Sequence, residues 1–312
     1  VSDVPILDEC EELLGPMPSS SSSSREADEG AIERAREAIE AQNLGGGIVT
    51  AQMLAEQVAG QDTWTPLSER AAKDRTWAYG HIVVDEAQEL SSMAWRALLR
   101  RCPSRSFTVV GDLDQRRGSK RPPTWEKALG PAARALAAEY ALTVSYRTPA
   151  TLTTLAEGVV ARAGVPVLYP MTAVRDVEDC YRVTHVDAPE DTPASSKDNS
   201  PLWRAVAQAQ REAEERLDRE AGTSRGRIAL IVGNERARAW GADVDGETAL
   251  SERVSLLSAV ASKGLEFDSV MLVEPAEILS DGVGDLFVAL TRATHDVHVV
   301  HCAPLPAGME VW

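Results

Sequence analysis

The sequence of 312 residues has few cysteines, a shortage of basic side chains and no long apolar run, and each shortage excludes a class of protein. Its four cysteines are far apart and show no Cys-x-x-Cys or Cys/His spacing, which argues against a structural zinc site. Scattered thiols also fit a reducing compartment better than a disulfide-stapled secreted domain. No apolar run approaches the roughly 20 residues of a membrane helix, and the acidic N-terminus lacks the order of a signal peptide. We therefore predict a cytoplasmic chain without a membrane contact.

Acidic residues outnumber basic ones by 48 to 32, which gives a formal net charge of −16. A protein whose main task is to coat DNA or RNA is usually basic, because neutralised phosphates supply most of its non-specific affinity. The charge is uneven, since the block 80–140 is net basic whereas 1–79 and 141–312 are acidic. Proteins or small ligands are therefore the expected main partners, and a local DNA or RNA contact remains open.

The order of apolar and polar residues predicts an α/β protein with a helical N-terminal part. Short apolar runs alternate with helical patterns after residue 80, which is typical of parallel sheets flanked by helices. Before them, the six serines Ser19–Ser24 have the composition of a flexible linker. We expect three regions, 1–79, 80–140 and 141–312. Strands are predicted over 81–88, 106–112, 141–149, 181–186, 227–233, 253–260, 268–275 and 296–302. Helices are predicted over 1–16, 26–42, 49–59, 91–100, 131–140, 150–163, 200–220 and 284–294.

Ligands of parallel sheets bind at the carboxyl ends of the strands, so the residues that follow each strand are the first candidates for a site. Asp85 and Glu86 directly follow the apolar run HIVV. The first carboxylate suits Mg²⁺ and the second suits the orientation or deprotonation of a water. The alternative is that both acids simply favour the N-terminus of the next helix.

Two further predicted strands also end in, or are followed by, residues that could bind a ligand. Gly111, Asp112 and Gln115 follow SFTVV, and the glycine lets the backbone turn tightly. Gln115 could bond a water or a terminal phosphate, although an ordinary polar turn has the same composition. Tyr146 and Arg147 end the next strand. The ring can stack on a base and the guanidinium can pair with phosphate oxygens. The alternative is a tyrosine that covers the core beside a solvated arginine.

The last part of the chain adds a polar segment and one arginine. The segment Lys263–Phe267 lies between two apolar runs, and Arg292 precedes the last one. An arginine directed from a second domain into a phosphate site is an arginine finger, and its alternative is a surface helix residue. Trp125 could stack on an unpaired base or pack in the core. A solvated loop or a contact with nucleic acid or an acidic partner would explain the basic side chains of the middle block: Arg100, Arg101, Arg105, Arg116, Arg117, Lys120 and Arg121.

Five segments in this order resemble the motifs of superfamily 1 helicases and translocases of the UvrD/Rep type. They are DEAQ (85–88), GDLDQ (111–115), YRTP (146–149), ASKGLEFD (261–268) and VALTRA (288–293). The flanking sequence 78–112, with the acidic helical patterns before it, looks like the HelD-type ATPases, which use ATP to release RNA polymerase from nucleic acid. Only residues 148–262 separate the YR and KGLEF motifs, which leaves no room for the large inserted domain of UvrD-like helicases and is consistent with the HelD type.

The resemblance implies a RecA-like P-loop NTPase core, with the latter part of one RecA-like domain over 80–140 and the second over 141–312. ATP with Mg²⁺ would lie in the cleft between them. The implied roles are Mg²⁺ binding by Asp85, water activation by Glu86, γ-phosphate sensing by Gln115, adenine stacking by Tyr146, γ-phosphate contact by Arg147, nucleotide-edge positions at Gly264 and Glu266 (Glu266 as a ribose contact), an arginine finger at Arg292 and base stacking by Trp125.

The sequence departs from this family at the phosphate loop, because no GxxxxGK[ST] segment is present. We therefore expect a C-terminal fragment of a longer motor, which alone binds ATP poorly and hydrolyses it negligibly. The predicted function is that of a HelD-like ATPase that binds RNA polymerase and releases it from nucleic acid. Two alternatives stay open: a UvrD/Rep-type DNA helicase or translocase, and a binding module without catalysis.

Overall fold

The structure is a computed structural model that describes residues 3–14, 36, 74, 77–117, 121–187, 200–242 and 251–310. These residues form two compact units. The first contains the described residues up to Val83 together with Ser91–Thr108, and the second contains Val84–Leu90 and the described residues from Val109 onward. The serine run and, apart from the helical Arg36, the predicted helices over 26–42 and 49–59 lie outside the described residues.

The first unit combines two helices with most of two short strands: α1 (Val4–Leu14), β1 (Ile82–Val84), α2 (Ser92–Arg101) and β2 (Phe107–Val109). Arg100 of α2 forms ion pairs with Asp8 and Glu9 of α1. The fully buried Trp95 meets the ring of Phe107 edge to face, with 6.3 Å between ring centroids. This helix pairing confirms the predicted helices at both places.

The second unit contains the main sheet. Its short elements are α3 (Trp125–Leu129), β3 (Val144–Ser145), α4 (Ala150–Arg162) and β4 (Thr172–Ala173). Its longer elements are β5 (Tyr181–His185), α5 (Pro201–Ala221), β6 (Ile228–Val232), α6 (Asn234–Trp240), β7 (Val254–Ser258), β8 (Phe267–Val273), α7 (Pro275–Asp281), α8 (Val283–Thr291) and β9 (Ala293–His301). The last five strands form one sheet in the order β5-β9-β8-β6-β7, and every neighbouring pair is parallel.

Both faces of this sheet are covered, as the apolar strand sequences require. On β6, Ile228, Leu230 and Val232 face the core formed with α5 and α6. The alternate residues Ala229 and Ile231 face the core formed with α4 and α8. The predicted α/β class, with a parallel sheet flanked by helices, is therefore confirmed.

A buried ion-pair cluster joins three strands and a helix of the second unit. Asp296 on β9 is only 2% exposed. Its Oδ2 accepts a hydrogen bond from Arg182 Nη2 on β5 at 2.8 Å, and its Oδ1 accepts one from Arg216 Nη2 on α5 at 2.6 Å. Arg216 also donates to Ser269 Oγ on β8 at 3.3 Å. One carboxylate therefore holds α5 against the sheet.

Several predicted elements differ from the structure. The strands expected over 81–88 and 106–112 are only β1 and β2, because each is followed by a 3₁₀ turn, Ala87–Glu89 and Leu113–Gln115. The expected helix over 131–140 is only a 3₁₀ turn, Gly130–Ala135, in which Pro131 fits the first turn. The apolar side chains that follow, Leu136 and Tyr140, are 42% and 86% exposed, so no tertiary packing holds a longer helix. The expected strand over 141–149 is reduced to β3, because its partner β4 has only two residues. The helix predicted over 284–294 ends at Thr291, and β9 begins at Ala293.

The seven-residue helices α6 and α7 were not predicted. Pro275 begins α7, where its missing N–H costs no hydrogen bond. Among the helices of the described segments, none is both long and apolar enough to cross a lipid bilayer.

Candidate functional site

The acidic pair begins where β1 ends. Glu86 has a left-handed backbone, with φ 50° and ψ 36°, and its N–H donates to Asp85 Oδ1 at 2.8 Å. Such a conformation is costly for a residue with a side chain, so it persists only where the surroundings hold it. The N–H of Ala87 donates to the Val110 carbonyl at 3.1 Å, which places the segments after β1 and β2 side by side. Asp85 is exposed and Glu86 is half-buried.

The amide of Gln88 joins the two segments. This side chain is fully buried, its Nε2 donates to Glu86 Oε2 at 2.6 Å, and its Oε1 accepts the N–H of Asp112 at 3.0 Å. The sequence pattern DEAQ contained Gln88 but assigned it no role. Its burial and its partner 24 positions away were not visible in the local sequence.

Gln115 links Asp112 to Arg292. Gln115 lies in the 3₁₀ turn Leu113–Gln115, and its Nε2 donates to Asp112 Oδ2 at 2.9 Å. Its Oε1 accepts from Arg292 Nη2 at 3.1 Å. Burial raises the pKa of the Asp112 carboxyl, which the N–H of Asp114 and the Gln115 amide partly offset. The predicted γ-phosphate sensor and the predicted finger are therefore direct partners.

Arg292 is a buried cation beside a second cation. Its residue is 2% exposed, and burial, together with the charge of Arg147, lowers its pKa to about 10. The carboxylates of Glu86, Glu266 and Asp112 act in the opposite direction. Because this pKa remains far above neutrality, Arg292 is charged at pH 7. The surface-helix alternative for this residue is excluded by its burial.

Arg147 pairs with Glu266, with 2.8 Å between Nη1 and Oε1. The Nε atoms of both Arg147 and Arg292 are buried without a hydrogen-bond partner. The same holds for Arg182, Arg216 and Arg253, so the feature that favours an anion at this place is the closeness of two guanidinium groups, which bond the adjacent residues Glu266 and Leu265. Tyr146 is 74% exposed, so its ring is open to a ligand, and Gly264 adopts a φ of +74° that favours glycine.

Lys263 holds the two turns that follow β1 and β2. Its Nζ lies 2.6 Å from Glu89 Oε1 and 2.6 Å from the Gln115 carbonyl oxygen. Its side chain is only 11% exposed. This lysine was part of the KGLEF segment, but its contacts with Glu89 and Gln115 were not predicted.

Arg175 orients the backbone beside Arg147 and was missed entirely, because it belongs to no motif. Its Nη2 donates to the carbonyl oxygens of Arg147, at 2.7 Å, and of Thr294. Its Nε donates to the Tyr146 carbonyl at 3.3 Å. It thereby connects the end of β3 with the start of β9.

The expectation that site residues follow the strands holds for only some of them. Asp85, Gln115 and Arg147 come after β1, β2 and β3, respectively. Glu266 and Arg292 instead directly precede β8 and β9, and the Phe267 N–H donates to the Arg292 carbonyl at 3.1 Å. The rule that ligands bind at carboxyl ends therefore does not describe the second half of this site.

Trp125 and three arginines of the basic block, Arg100, Arg101 and Arg121, contact other groups of the protein. Trp125 is half-buried, and its ring lies so close to Gly111 that a Cβ on this glycine would come within 2.9 Å of it. Arg121 pairs with Asp114, and Arg100 pairs within the first unit as described above. Lys120 lies outside the described residues.

The predicted Mg²⁺ position fits Asp85. Mg²⁺ is usually held by one or two carboxylates, with waters and substrate phosphates as its remaining ligands. An exposed carboxylate next to Glu86 meets this need. No cluster of three or more His, Cys, Asp or Glu suited to a metal occurs in the described part of the chain, so a metal cage made only of protein groups is not found there.

The buried Asp285 of α8 should make the stability of the fold depend on pH. It is 3% exposed, its Oδ1 has no hydrogen-bond partner, and burial raises its pKa, an effect that Lys263 and Arg117 partly offset. A raised pKa in the folded state means that this carboxyl costs stability as the pH rises from about 4 through the raised value. We expect Asp285→Asn to be more stable than the wild-type chain at neutral pH, with the difference vanishing at acidic pH.

Thermal unfolding between pH 4 and 8 measures this difference. Asp218→Asn is a control of opposite sign, since the Ser224 N–H and Arg253 lower the pKa of Asp218. That variant should be less stable than the wild-type chain at neutral pH and equal to it in acid. A constant difference between Asp285→Asn and the wild-type chain at every pH would contradict the prediction.

No protein-family model matches the chain, and no curated protein matches it. Among solved structures it is similar to the arterivirus nonstructural protein 10 helicase, with 16% identity and a TM-score of 0.39 over 74% of this chain and 41% of that one. In complex with DNA, that helicase gives 17% identity and a TM-score of 0.38 over 72% and 40%. The C-terminal domain of a possible DNA helicase from Lactobacillus plantarum WCFS1 gives 17% and 0.34 over 53% and 92%. The chain thus spans about 41% of the first of these proteins.

Proposed function

We propose that this chain is part of an ATP-hydrolysing motor of superfamily 1, most similar to the HelD type. The observation that carries the proposal is the placement of two guanidinium groups and the carboxylate of Glu86 in one compact unit. Arg147 and Arg292 bond the adjacent residues Glu266 and Leu265, and hydrogen bonds through Gln115, Asp112 and Gln88 join Arg292 to Glu86. A nucleoside triphosphate needs cationic side chains for its phosphates and a carboxylate that can hold its Mg²⁺. The two guanidinium groups and the exposed Asp85 meet these two needs. The predicted domain boundaries, 80–140 and 141–312, form part of this proposal.

The residues divide the work of hydrolysis between them. Glu86 orients the attacking water and takes its proton as the water oxygen bonds to the γ-phosphorus. The bond from that phosphorus to the bridging oxygen breaks, and ADP leaves with the electron pair. Arg147 and Arg292 stabilise the charge on the transferred group. Gln115 already accepts a hydrogen bond from Arg292. A change in Gln115 when the γ-phosphate binds would therefore be transmitted to Arg292.

The other assigned positions bind rather than react. The exposed ring of Tyr146 stacks on adenine, and Gly264 lets the ligand approach the backbone closely. Glu266 gives up its ion pair with Arg147 and accepts a hydrogen bond from the ribose instead. Asp85 would hold Mg²⁺, which supplies charge neutralisation for the phosphates. Since the sequence has no phosphate loop, we propose that the chain is the C-terminal part of a longer motor.

Equilibrium binding of a fluorescent ATP analogue with Mg²⁺ tests this assignment. The full chain should bind weakly, and Arg147→Met should weaken binding at least tenfold, because a charge-assisted hydrogen bond to phosphate contributes about 1.5–3 kcal/mol. Glu86→Gln should bind like the wild-type chain, since its role is in hydrolysis. Arg211→Met, on the exposed side of α5, is the matched control.

Equal binding by Arg147→Met and the wild-type chain would sink the nucleotide site. Robust hydrolysis by the chain alone would instead sink the proposal that it is a fragment, because half of the phosphate contacts would then have to be present already.

The proposed partner is RNA polymerase, which the motor would release from nucleic acid. The HelD-like flank 78–112 and the acidic charge of −16 support a protein partner over a DNA-coating role. Co-migration of the chain with purified RNA polymerase in gel filtration is the expected result. Tight binding to single-stranded DNA that weakens steeply with salt, without polymerase binding, would favour the UvrD/Rep-type alternative.

A further inference from the structure

We propose that Gln88 is a positioning residue, whose buried amide fixes the carboxylate of Glu86 and connects it to the rest of the site. This inference rests on the proposed function, because the orientation of Glu86 matters only if Glu86 acts on water. Gln88 is fully buried and bonds Glu86 at 2.6 Å and the Asp112 N–H at 3.0 Å.

The amide of Gln88 can sit in only one orientation. Its NH₂ end faces a carboxylate, which only accepts hydrogen bonds, and its oxygen end faces a backbone N–H, which only donates. A flipped amide would place two acceptors together at Glu86 and two donors together at Asp112. The side chain is therefore locked at both ends, as a positioning group must be.

Gly111 makes room for this arrangement. A Cβ on Gly111 would come within 2.4 Å of Gln88 Oε1 and within 3.1 Å of the backbone nitrogen of Ala87. Real Cβ atoms do not approach oxygen so closely, so the amide and any larger residue at position 111 exclude each other. The glycine of the GDLDQ segment thus serves the glutamine of the DEAQ segment.

The hydrogen bond from Gln88 engages one oxygen of Glu86 and leaves the other oxygen able to accept a proton. Gln88 occupies Oε2, and no donor within the described part of the chain bonds Oε1. A donor on one oxygen fixes the rotation of the carboxylate, so the other oxygen has a defined direction in which to accept a proton. Gln88 therefore selects which oxygen of Glu86 meets the water.

Gln88 is also the second member of a chain of hydrogen bonds that joins Glu86 to Arg292. The chain runs from Glu86 through Gln88 to Asp112, and from Asp112 through Gln115 to Arg292. The Gln115 amide is locked by the same logic, with a carboxylate at its nitrogen and a guanidinium at its oxygen. A displacement of Gln88 should consequently be felt at Arg292.

NMR spectroscopy on the full chain tests the role of Gln88. The readouts are the side-chain carboxyl ¹³C resonance of Glu86, assigned with Glu86→Gln, and the guanidinium ¹⁵N resonance of Arg292, assigned with Arg292→Lys. Gln88→Met should shift both resonances. The control Gln208→Met removes a similar Gln–Glu bond, to Glu212 on the exposed face of α5, and should shift neither.

A Gln88→Met variant that loses thermal stability while both resonances stay in place would overturn the proposal, since Gln88 would then only pack. If that variant does not fold, the wild-type chain decides the question through the scalar coupling across the hydrogen bond between Gln88 Nε2 and the Glu86 carboxyl. Absence of that coupling overturns the proposal, and its presence supports it.

Addition of Mg²⁺ with a non-hydrolysable ATP analogue separates this inference from the proposed function. If the Glu86 resonance does not respond to the analogue but still depends on Gln88, the nucleotide assignment fails and the structural lock stands. If the resonance responds to the analogue but is insensitive to Gln88→Met, the positioning role fails and the nucleotide site stands.

Discussion

Replacing Asp296 by alanine should lower the free energy of unfolding of the second unit by about 3–5 kcal/mol. Asp296 is 2% exposed and is the shared partner of Arg182 and Arg216. The Arg216 side chain is itself only 15% exposed, so the variant leaves a buried cation with only the Ser269 hydroxyl as its hydrogen-bond partner among these groups. Chemical unfolding followed by circular dichroism measures the loss.

A double variant tests whether the unpaired Arg216 cation causes the loss of unfolding free energy. Asp296→Leu combined with Arg216→Met removes both buried charges and should recover much of the stability, because apolar replacements of buried ion pairs are often neutral. Asp218→Asn, whose partner Arg253 lies near the surface, is the control and should have a much smaller effect. A loss below about 1 kcal/mol in Asp296→Ala would contradict the proposed role of the cluster.

Replacing Gly284 by alanine should separate α8 from the turn that carries Gln115. A Cβ at this position would come within 2.2 Å of the Arg116 carbonyl oxygen and within 3.2 Å of the Asp114 carbonyl oxygen. Both are backbone atoms, so the clash cannot be relieved by a side-chain rotation. We expect a loss of about 1–3 kcal/mol in unfolding free energy, with loss of the bonds from Gln115 to Lys263 and Arg292.

Hydrogen exchange measures this separation at the backbone amides of 113–117, which should exchange faster in the variant. Gly158→Ala is the matched control, because its Cβ would meet only the flexible Arg162 guanidinium, at 3.1 Å. That substitution lies inside α4, where alanine is intrinsically favoured over glycine by about 0.5–1 kcal/mol, and it should leave the exchange at 113–117 unchanged. Unchanged exchange at 113–117 in Gly284→Ala would show that the close approach of α8 is not needed.

Strands of the main sheet were predictable because each is either a compact apolar run, such as IALIV, or a run in which apolar and polar residues alternate, such as YRVTHV. The runs 181–186 and 227–233 match β5 and β6 closely. The start of β9 was placed three residues late, at 296 instead of Ala293, because Thr294 and His295 look polar in sequence and are only half-buried in the fold. Helices of seven residues such as α6 make only two turns, too few for an apolar period to stand out.

The sequence offers candidate site residues where a residue type carries its own chemistry, but it does not reveal contacts that depend on burial. The exposed Tyr146 and the acidic pair after β1 are examples of the first kind. Lys263 is an example of the second kind, because its partners lie 174 and 148 positions away and no local pattern reveals them. The roles of Gln88 and Arg175 were hidden for the same reason.

The position of β9 in the sheet has a consequence for biosynthesis. β9 is the last of the five strands along the chain, yet it lies between β5 and β8 and is the strand that bonds to both. While the ribosome has not yet released Ala293–His301, β8, β6 and β7 can associate, but β5 has no partner in that sheet. At this stage the edges of β5 and β8 that later pair with β9 are open, and open strand edges are the kind of surface that chaperones bind and that otherwise aggregates.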